Sequence, residues 1–341
     1  MPKPKHILVI RFSAMGDVAM VVPVLRALSN QYPNLKITVL TRAFFKPLFQ
    51  GIRNVEVYPA DLKGKHKGLV GLYKLSEELK KLKFDAVADL HNVLRSKVLK
   101  ILFYGKNIVQ LDKGRSEKRA LVSGASFRQL KTTHERYADV FRTLGFLLDL
   151  SKTEIPPKLP LKNELKGLLP KDNLPLVGIA PFAAHKSKMY PLNKMEKVIA
   201  ELSKFYQVYL FGGGENEIKI LRDIAARYDG VVSVAGHLSF ENELKLISNL
   251  DLMLSMDSGN AHIASIFGVK VISIWGVTHP YAGFAPFGQP IEFAMLADRS
   301  EYPLIPTSIY GNKYPEGYED CAGSIPINNI VSKVKEQLSS K

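Results

Sequence analysis

Twice along this chain, short apolar runs alternate with segments of helical period, and that pattern limits the possible folds more than any other feature. In the first series His6–Arg11, Lys36–Thr41, Val55–Pro59 and Ala86–Leu90 read as strands. Val18–Gln31, Leu69–Leu82, Leu94–Phe103 and His134–Leu144 read as helices, the last with Tyr137, Val140, Phe141 and Leu144 on one face. Between Ser151 and Pro175 five prolines (Pro156, Pro157, Pro160, Pro170 and Pro175) interrupt any long element, as a linker would. A second series follows. Leu176–Pro181, Val208–Phe211, Val231–Val234, Leu252–Ser255 and Val271–Trp275 are strand-like; Asn193–Phe205, Glu217–Arg227, Phe240–Asn249 and Ala261–Phe267 are helix-like. Asp298–Ser324 is polar, irregular and rich in tyrosine, and Ile327–Leu338 closes the chain as an amphipathic helix. Strands alternating with helices build βαβ units and a mainly parallel sheet. The expected class is therefore α/β, with two doubly wound, Rossmann-like domains facing a central cleft. The expected division is 1–155, a linker at 156–175, 176–325, and a C-terminal helix at 326–341. Ligands of such sheets bind beyond the carboxyl ends of the strands, so the cleft is the expected site.

Charge divides the chain unevenly. Lys and Arg number 47 and Asp and Glu 32, a formal net charge of +15. Residues 1–150 hold 27 basic and 12 acidic side chains, whereas residues 151–341 hold 20 of each, so the first half carries the whole excess. That asymmetry calls for a polyanionic partner of the first half: nucleic acid, an anionic membrane surface or a phosphorylated substrate. An apolar content of 46 % excludes intrinsic disorder. No apolar run approaches the roughly 20 residues a membrane span needs. The start, with only Ile7–Ile10 apolar and no cleavage pattern, does not read as a signal peptide. A single cysteine, Cys321, excludes an internal disulfide framework and a cysteine-based zinc site, and the cytoplasm is the simplest compartment.

Four loops carry chemistry. Arg11-Phe12-Ser13-Ala14-Met15-Gly16-Asp17 follows the first strand. On spacing alone Asp17 reads as a helix cap, but a carboxylate at a strand's carboxyl end is also placed to take a proton from a hydroxyl nucleophile. Asp257-Ser258-Gly259-Asn260-Ala261-His262 joins a strand to a helix, where free N–H groups suit a diphosphate. Gly276-Val277-Thr278-His279-Pro280 follows the next strand and offers further donors. In Ala183–Pro191, Lys188 can neutralise phosphate as a point charge, although lone lysines usually do not. Gly212-Gly213-Gly214-Glu215-Asn216-Glu217 permits close backbone approach, and a glutamate there can hold a ribose diol or merely cap a helix. There is no G-x-x-x-x-G-K-[ST], no G-x-S-x-G, no H-E-x-x-H and no D-x-D pair. The last absence weighs against a sugar-nucleotide site built on a carboxylate-bound divalent metal.

In this order the motifs resemble glycosyltransferase family 9, the lipopolysaccharide heptosyltransferases, over nearly the whole chain. The match runs from S-x-x-G-D (Ser13, Gly16, Asp17) through Asp89 with Arg95-Ser96 and, loosely, His134–Tyr137. It continues with Lys188-Met189-Tyr190-Pro191, with Tyr190 for the family's Trp, and with Gly213, Gly214 and Glu217. The most specific part is D-[ST]-G-x-x-H followed by G-x-T-x-P, met by Asp257, Ser258, Gly259, His262, Gly276, Thr278 and Pro280. The resemblance implies a GT-B fold and an inverting, metal-independent transfer of heptose from ADP-heptose, an ADP-sugar serving as co-substrate with no separate cofactor. It implies Asp17 as the base, Lys188 with Ser258, Gly259 and His262 at the diphosphate, Thr278 nearby, Glu217 or Glu215 at the ribose, and Asp257 at the donor sugar. Ala183 and Ala184 stand where threonines are often found, and like Tyr190 they fall on the donor side.

The basic half then has a partner, a phosphorylated glycolipid acceptor presented by the inner membrane surface. Ser13, Gly16 and Arg95 fall on that side, with Arg115, Lys118, Arg119 and Arg128 in a stretch that reads as unstructured, and Lys63–Lys67 reads as a mobile loop. The expected place is the cytoplasmic face of that membrane, as a peripheral enzyme. Two other readings compete. One is a GT-B transferase or epimerase using another nucleotide sugar; the other is a basic nucleic-acid-binding protein, which no recognised motif supports.

Overall fold

The computed structural model describes residues 3–161, 163–170 and 172–339. The outermost ends of the expected first domain and C-terminal helix, and two positions of the expected linker, lie outside them. In chain order the elements begin with β1 (His6–Ile10), α1 (Met15–Ala19), α2 (Val21–Gln31), β2 (Lys36–Thr41) and β3 (Val55–Pro59). Then come α3 (Gly68–Lys80), β4 (Ala86–Asp89), α4 (Leu94–Leu102), β5 (Asn107–Gln110), α5 (Arg115–Val122) and α6 (Thr133–Thr143). After α7 (Asn163–Lys166) follow β6 (Leu176–Ala180), α8 (Leu192–Leu202), β7 (Gln207–Leu210), α9 (Glu215–Ala225), β8 (Val231–Ser233) and α10 (Phe240–Asn249). The series ends with β9 (Leu252–Met256), α11 (Gly259–Ser265), β10 (Lys270–Trp275), β11 (Ala294–Leu296) and α12 (Ile327–Ser339).

Each series forms its own parallel sheet. The first has the order β3-β2-β1-β4-β5 and the second β11-β10-β9-β6-β7-β8. Read from the other edge, the second is the first with one more strand. All pairings are parallel; Ile10 lies opposite Leu40 and Asp89, and Ala180 opposite Ser255. In both sheets the order reverses beside the first strand, between β1 and β4 and between β6 and β9. A crevice opens at such a switch point, because the flanking loops leave toward opposite faces.

The cores explain why the strands are legible. Central parallel strands are covered on both faces and so read as unbroken apolar runs. His6–Ile10 is buried throughout, as is Leu252–Met256. On one face of the first sheet Leu8, Ile10, Leu40 and Val87 meet Leu72, Leu75 and Leu79 of α3 and Leu99 of α4. In the second, Val177, Ile179, Val208, Leu210 and Leu254 pack with α8 and with Ile330, Val331 and Val334 of α12.

The compact units do not follow the halves of the sequence. The first holds the residues up to Lys113 together with Thr132–Glu154; the second holds Gly114–Lys131 and the residues from Ile155 onward. Gly114–Lys131 was expected to be irregular and part of the first domain, yet it contains α5 and packs on the second unit. Leu121 and Leu130 join Ala282, Tyr281, Phe284 and Ile309, and Leu130 donates its N–H to Tyr281 O at 2.9 Å. The Arg299 guanidinium lies 3.7 Å from the Phe127 ring centroid. The proline-rich stretch runs along the second unit, Leu159 N donating to Ser248 Oγ at 3.1 Å and Asn249 Nδ2 to Leu159 O at 2.8 Å. Recounted by unit, the first carries 23 basic and 12 acidic side chains, +11, and the second 24 and 20, +4.

Candidate active site

Both switch points carry charge. In the first unit Arg11 and Asp17 follow β1, and His91 follows β4. Arg11 is nearly buried, and its Nη2 lies 2.5 Å from Asp17 Oδ2. Its Nη1 donates to Leu90 O at 2.7 Å, which fixes the guanidinium between the two loops. Asp17 is the third residue of α1, and Ala14 N donates to the same Oδ2 at 3.3 Å. Ala14, not Asp17, is thus the N-cap residue, and Asp17 caps from the third helical position, with one oxygen reaching back to the Ala14 N–H. The other, Oδ1, accepts no hydrogen bond among the described residues, and the side chain is 29 % exposed. Ser13 and Gly16 lie half-buried in the same loop.

Asp89, which the family pattern singles out, is a scaffold. It is fully buried, and its Oδ1 accepts from His91 N at 3.0 Å and Asn92 N at 2.8 Å, while Ser96 Oγ donates to Oδ2 at 2.9 Å. Those bonds shape the β4–α4 turn and set His91 beside Arg11. His91 Nδ1 accepts from Phe12 N at 3.4 Å. Burial, and then the Arg11 charge, push the His91 pKa down to about 4, so the ring is neutral at physiological pH. Sequence reasoning missed His91, because nothing in its spacing to Arg11 and Phe12 marks the contact. Arg95 sits exposed at the start of α4.

In the second unit Lys188 follows β6, Asp257 follows β9 and Thr278 follows β10. Lys188 Nζ lies 2.8 Å from Asp257 Oδ2, both side chains nearly buried, and Thr278 Oγ1 donates to that oxygen at 2.9 Å. Three motifs read separately therefore form one chain, Thr278 orienting Asp257 and Asp257 orienting the ammonium. Ser258 is the N-cap of α11, its Oγ 3.1 Å from Ser255 Oγ, and Gly259 opens the helix; His262 is buried one turn in. Glu217 folds back to accept the Gly213 N–H at 2.8 Å, whereas Glu215 is exposed.

Two further features bear on Lys188. The Tyr302–Tyr318 stretch, to which the sequence assigns no role, braces it. Ser187 Oγ donates to Gly311 O at 2.5 Å, and a Cβ on Gly311 would lie 2.5 Å from Lys188 Cγ. Gly311 also has φ +81°, a backbone region that disfavours side chains. Gly276 is similarly constrained, since a Cβ there would strike Ser187 O. Tyr190, in place of the family's Trp, is fully buried and donates its hydroxyl to Ile325 O at 2.8 Å. The departure expected to bear on the donor is a packing substitution in the core.

The α5 cations change place. Arg115, Arg119 and Arg128 are exposed on the second unit. Lys118 is buried, with its ammonium 4.2 Å from the Phe284 ring centroid, so it does not join them. Lys63–Lys67 is a braced turn rather than a free loop. Asp61 accepts from Gly64 N and Lys65 N at 2.9 Å each, and buried His66 accepts from Asp61 N at 3.1 Å.

Two histidines, half-buried His91 and buried His279, make stability depend on pH. His279 Nδ1 accepts from Tyr281 N, and burial followed by the Arg299 charge lowers its pKa to about 4, as in His91. Between pH 6.5 and 4 the unfolded chain binds protons that the folded protein refuses, so stability rises with pH across that window. Chemical denaturation should show a loss of about 2 kcal/mol for each histidine between those limits. His279→Gln should flatten the profile; an unchanged slope would contradict the assignment.

Two Rossmann-like parallel sheets with these charged switch points define a glycosyltransferase of the GT-B fold. The chain belongs to glycosyltransferase family 9 (heptosyltransferase), whose model matches residues 72–303. It is 25 % identical over 293 residues to the lipopolysaccharide core heptosyltransferase OpsX of Haemophilus influenzae, covering 81 % of this chain and 80 % of that one. Its fold matches the crystal structure of the glycosyl transferase family 9 from Veillonella parvula with a TM-score of 0.77 at 17 % identity, over 99 % and 98 % of the two chains. It matches E. coli ADP-heptose lps heptosyltransferase II with a TM-score of 0.69 at 20 % identity, over 98 % of each.

Proposed function

We propose that this enzyme transfers a heptose from ADP-heptose to the core of a lipopolysaccharide or lipooligosaccharide acceptor, with inversion and without a metal. The observation that carries the reading is the Thr278–Asp257–Lys188 chain at the switch point of the second sheet. It fixes a cation beside the helix start at Ser258 and Gly259, where a diphosphate leaving group finds both an ammonium and backbone N–H groups. Glu217, or Glu215, serves the ribose, with His262 supporting the diphosphate.

In the first unit Asp17 is the base. The acceptor hydroxyl gives its proton to Oδ1, and its oxygen attacks the anomeric carbon. The bond from that carbon to the diphosphate breaks on the opposite face, and the charge that develops on ADP is met by Lys188 and the α11 N–H groups. Arg11 holds Oδ2, so the reacting oxygen is the one left open. Ser13, Gly16 and Arg95 lie on the acceptor side in this reading, with Arg115, Arg119 and Arg128 as further contacts for its phosphates. The acceptor is presented at the cytoplasmic face of the inner membrane, to which the enzyme binds peripherally; no nucleic acid takes part.

A thermal-shift series tests the donor assignment. ADP and ADP-heptose should raise the melting temperature by several degrees at saturation, with UDP and GDP inert. Stabilisation by a uridine or guanosine sugar instead would move the protein to the alternative of another nucleotide-sugar transferase or epimerase.

A further inference from the structure

Helices α3 and α4 bury one face each in the first unit's core, through Leu72, Leu75 and Leu79 and through Leu99. A helix packed this way ordinarily shows polar residues on its opposite face. Here that face shows Leu69, Val70 and Tyr73 on α3, Leu94 and Ile101 on α4, and Tyr104 just beyond, all between 55 % and 96 % exposed. The two helices pack side by side, so these side chains gather on the outer side of one helix pair instead of scattering over the molecule.

The charges around these side chains have one sign. Lys63, Lys67, Lys74, Arg95 and Lys97 are exposed and have no ion-pair partner among the described residues. The carboxylates of the same segment are already engaged. Asp61 takes two N–H groups of its own turn, and Glu77 pairs with Lys80 at 2.7 Å. Glu78 accepts from Tyr58 Oη and pairs with Lys65, each at 2.5 Å, and Asp89 is buried in its turn. The lysine turn is rigid, since Gly71 is packed so closely under the His66 backbone that no Cβ fits between them. In a parallel sheet the helices that follow β3 and β4 begin at the carboxyl ends of the strands. Leu69, Val70, Tyr73, Leu94 and the lysine turn therefore lie at the same end of the sheet as Asp17 and His91.

We infer that this face docks on a bilayer containing anionic lipid, the apolar side chains entering the headgroup region while the lysines and Arg95 meet lipid phosphates. Apolar insertion combined with a basic rim is the pairing of signals that gives stable peripheral binding. A second copy of the chain fits poorly, because it would bring the same positive charge to the same face. The docking rests on the reading of a membrane-borne acceptor, and it orients the open edge of the Asp17 site toward the surface from which that acceptor projects. Among the described residues no helix is long and apolar enough to cross a membrane.

Co-sedimentation with vesicles tests it without acceptor or donor. The wild-type protein should bind equimolar phosphatidylcholine–phosphatidylglycerol vesicles at least about tenfold more tightly than pure phosphatidylcholine, and less at high salt. The triple variant Leu69→Ser, Val70→Ser, Tyr73→Ser should lose about tenfold or more of that binding. It should keep the wild-type melting temperature and its turnover of a water-soluble, delipidated core acceptor. Wild-type protein that ignores the anionic vesicles, a variant that binds them equally well, or a variant whose only change is the loss of a dimer would each overturn the proposal. Vesicle binding that persists in a protein turning over no heptose donor would sink the functional reading and leave the docking face standing.

Discussion

Asp17→Asn folds, binds ADP as the wild type does, and transfers sugar about 10²–10⁴-fold more slowly, the range a positioned base commands. The substitution keeps the shape of the side chain and removes its charge. Arg11 retains its bond to Leu90 O, so the guanidinium stays in place while the oxygen proposed to take the acceptor proton is no longer basic. Some stability goes with the lost ion pair, and this is why ADP affinity is measured alongside turnover. The proposed ADP contacts lie in the second unit and Asp17 in the first, so a general collapse would damage both readouts and loss of the proposed base only one. Turnover within tenfold of wild type would remove Asp17 from the mechanism.

Lys188→Met has two effects that can be separated. It strips the nearly buried Asp257 of its ammonium and leaves the Thr278 hydroxyl as the remaining side-chain partner of Oδ2 among the described residues, so folding stability falls by about 3–5 kcal/mol. It also removes the cation proposed to meet the leaving diphosphate, which should cost about 10²–10³-fold in turnover. Adding Asp257→Asn relieves the buried charge. The double variant should regain most of the melting temperature and none of the turnover, and recovered turnover would make Lys188 structural. Gly311→Ala should act in the same direction more weakly, raising the KM for the ADP-sugar, because its methyl group needs space that the lysine stem occupies.

The parts of this fold that were legible in sequence are those where burial writes a period. His6–Ile10 and Leu252–Met256 are buried along their whole length and stand out as apolar runs. Two strands escaped notice for the converse reason. Asn107–Gln110 and Ala294–Leu296 are short, and half-buried at best along the sheet edges. Helix α5 escaped because its sequence, RSEKRALV, is half charged and opens after Gly114 at φ +59°. Its allegiance to the second unit is set by Phe284, Tyr281 and Ile309, more than 150 positions further along, and no local pattern encodes that.

The site shows the same limit. Asp17, Lys188, Asp257 and Thr278 were each marked by motif, because small-residue loops after strands are where a parallel sheet presents side chains. That Lys188, Asp257 and Thr278 form one hydrogen-bonded chain is a fact of three strands meeting at a switch point. The bracing of Lys188 by Gly311 and the seating of His91 beside Arg11 are likewise tertiary. Tyr190 shows the opposite error, a departure from the family pattern whose side chain lies in the core.

The chain's excursion at Gly114–Lys131 bears on modularity. Two Rossmann-like halves joined by a proline-rich stretch invite separation at that stretch. A cut there would carry α5 away with the first half, uncovering Leu121 and Leu130 on one fragment and Tyr281, Phe284 and Ile309 on the other. Each fragment would then present an unmatched apolar patch that its counterpart fits. The halves are thus complementing pieces of one folding unit, and shuffling this gene at its evident seam would break a contact that the seam does not reveal.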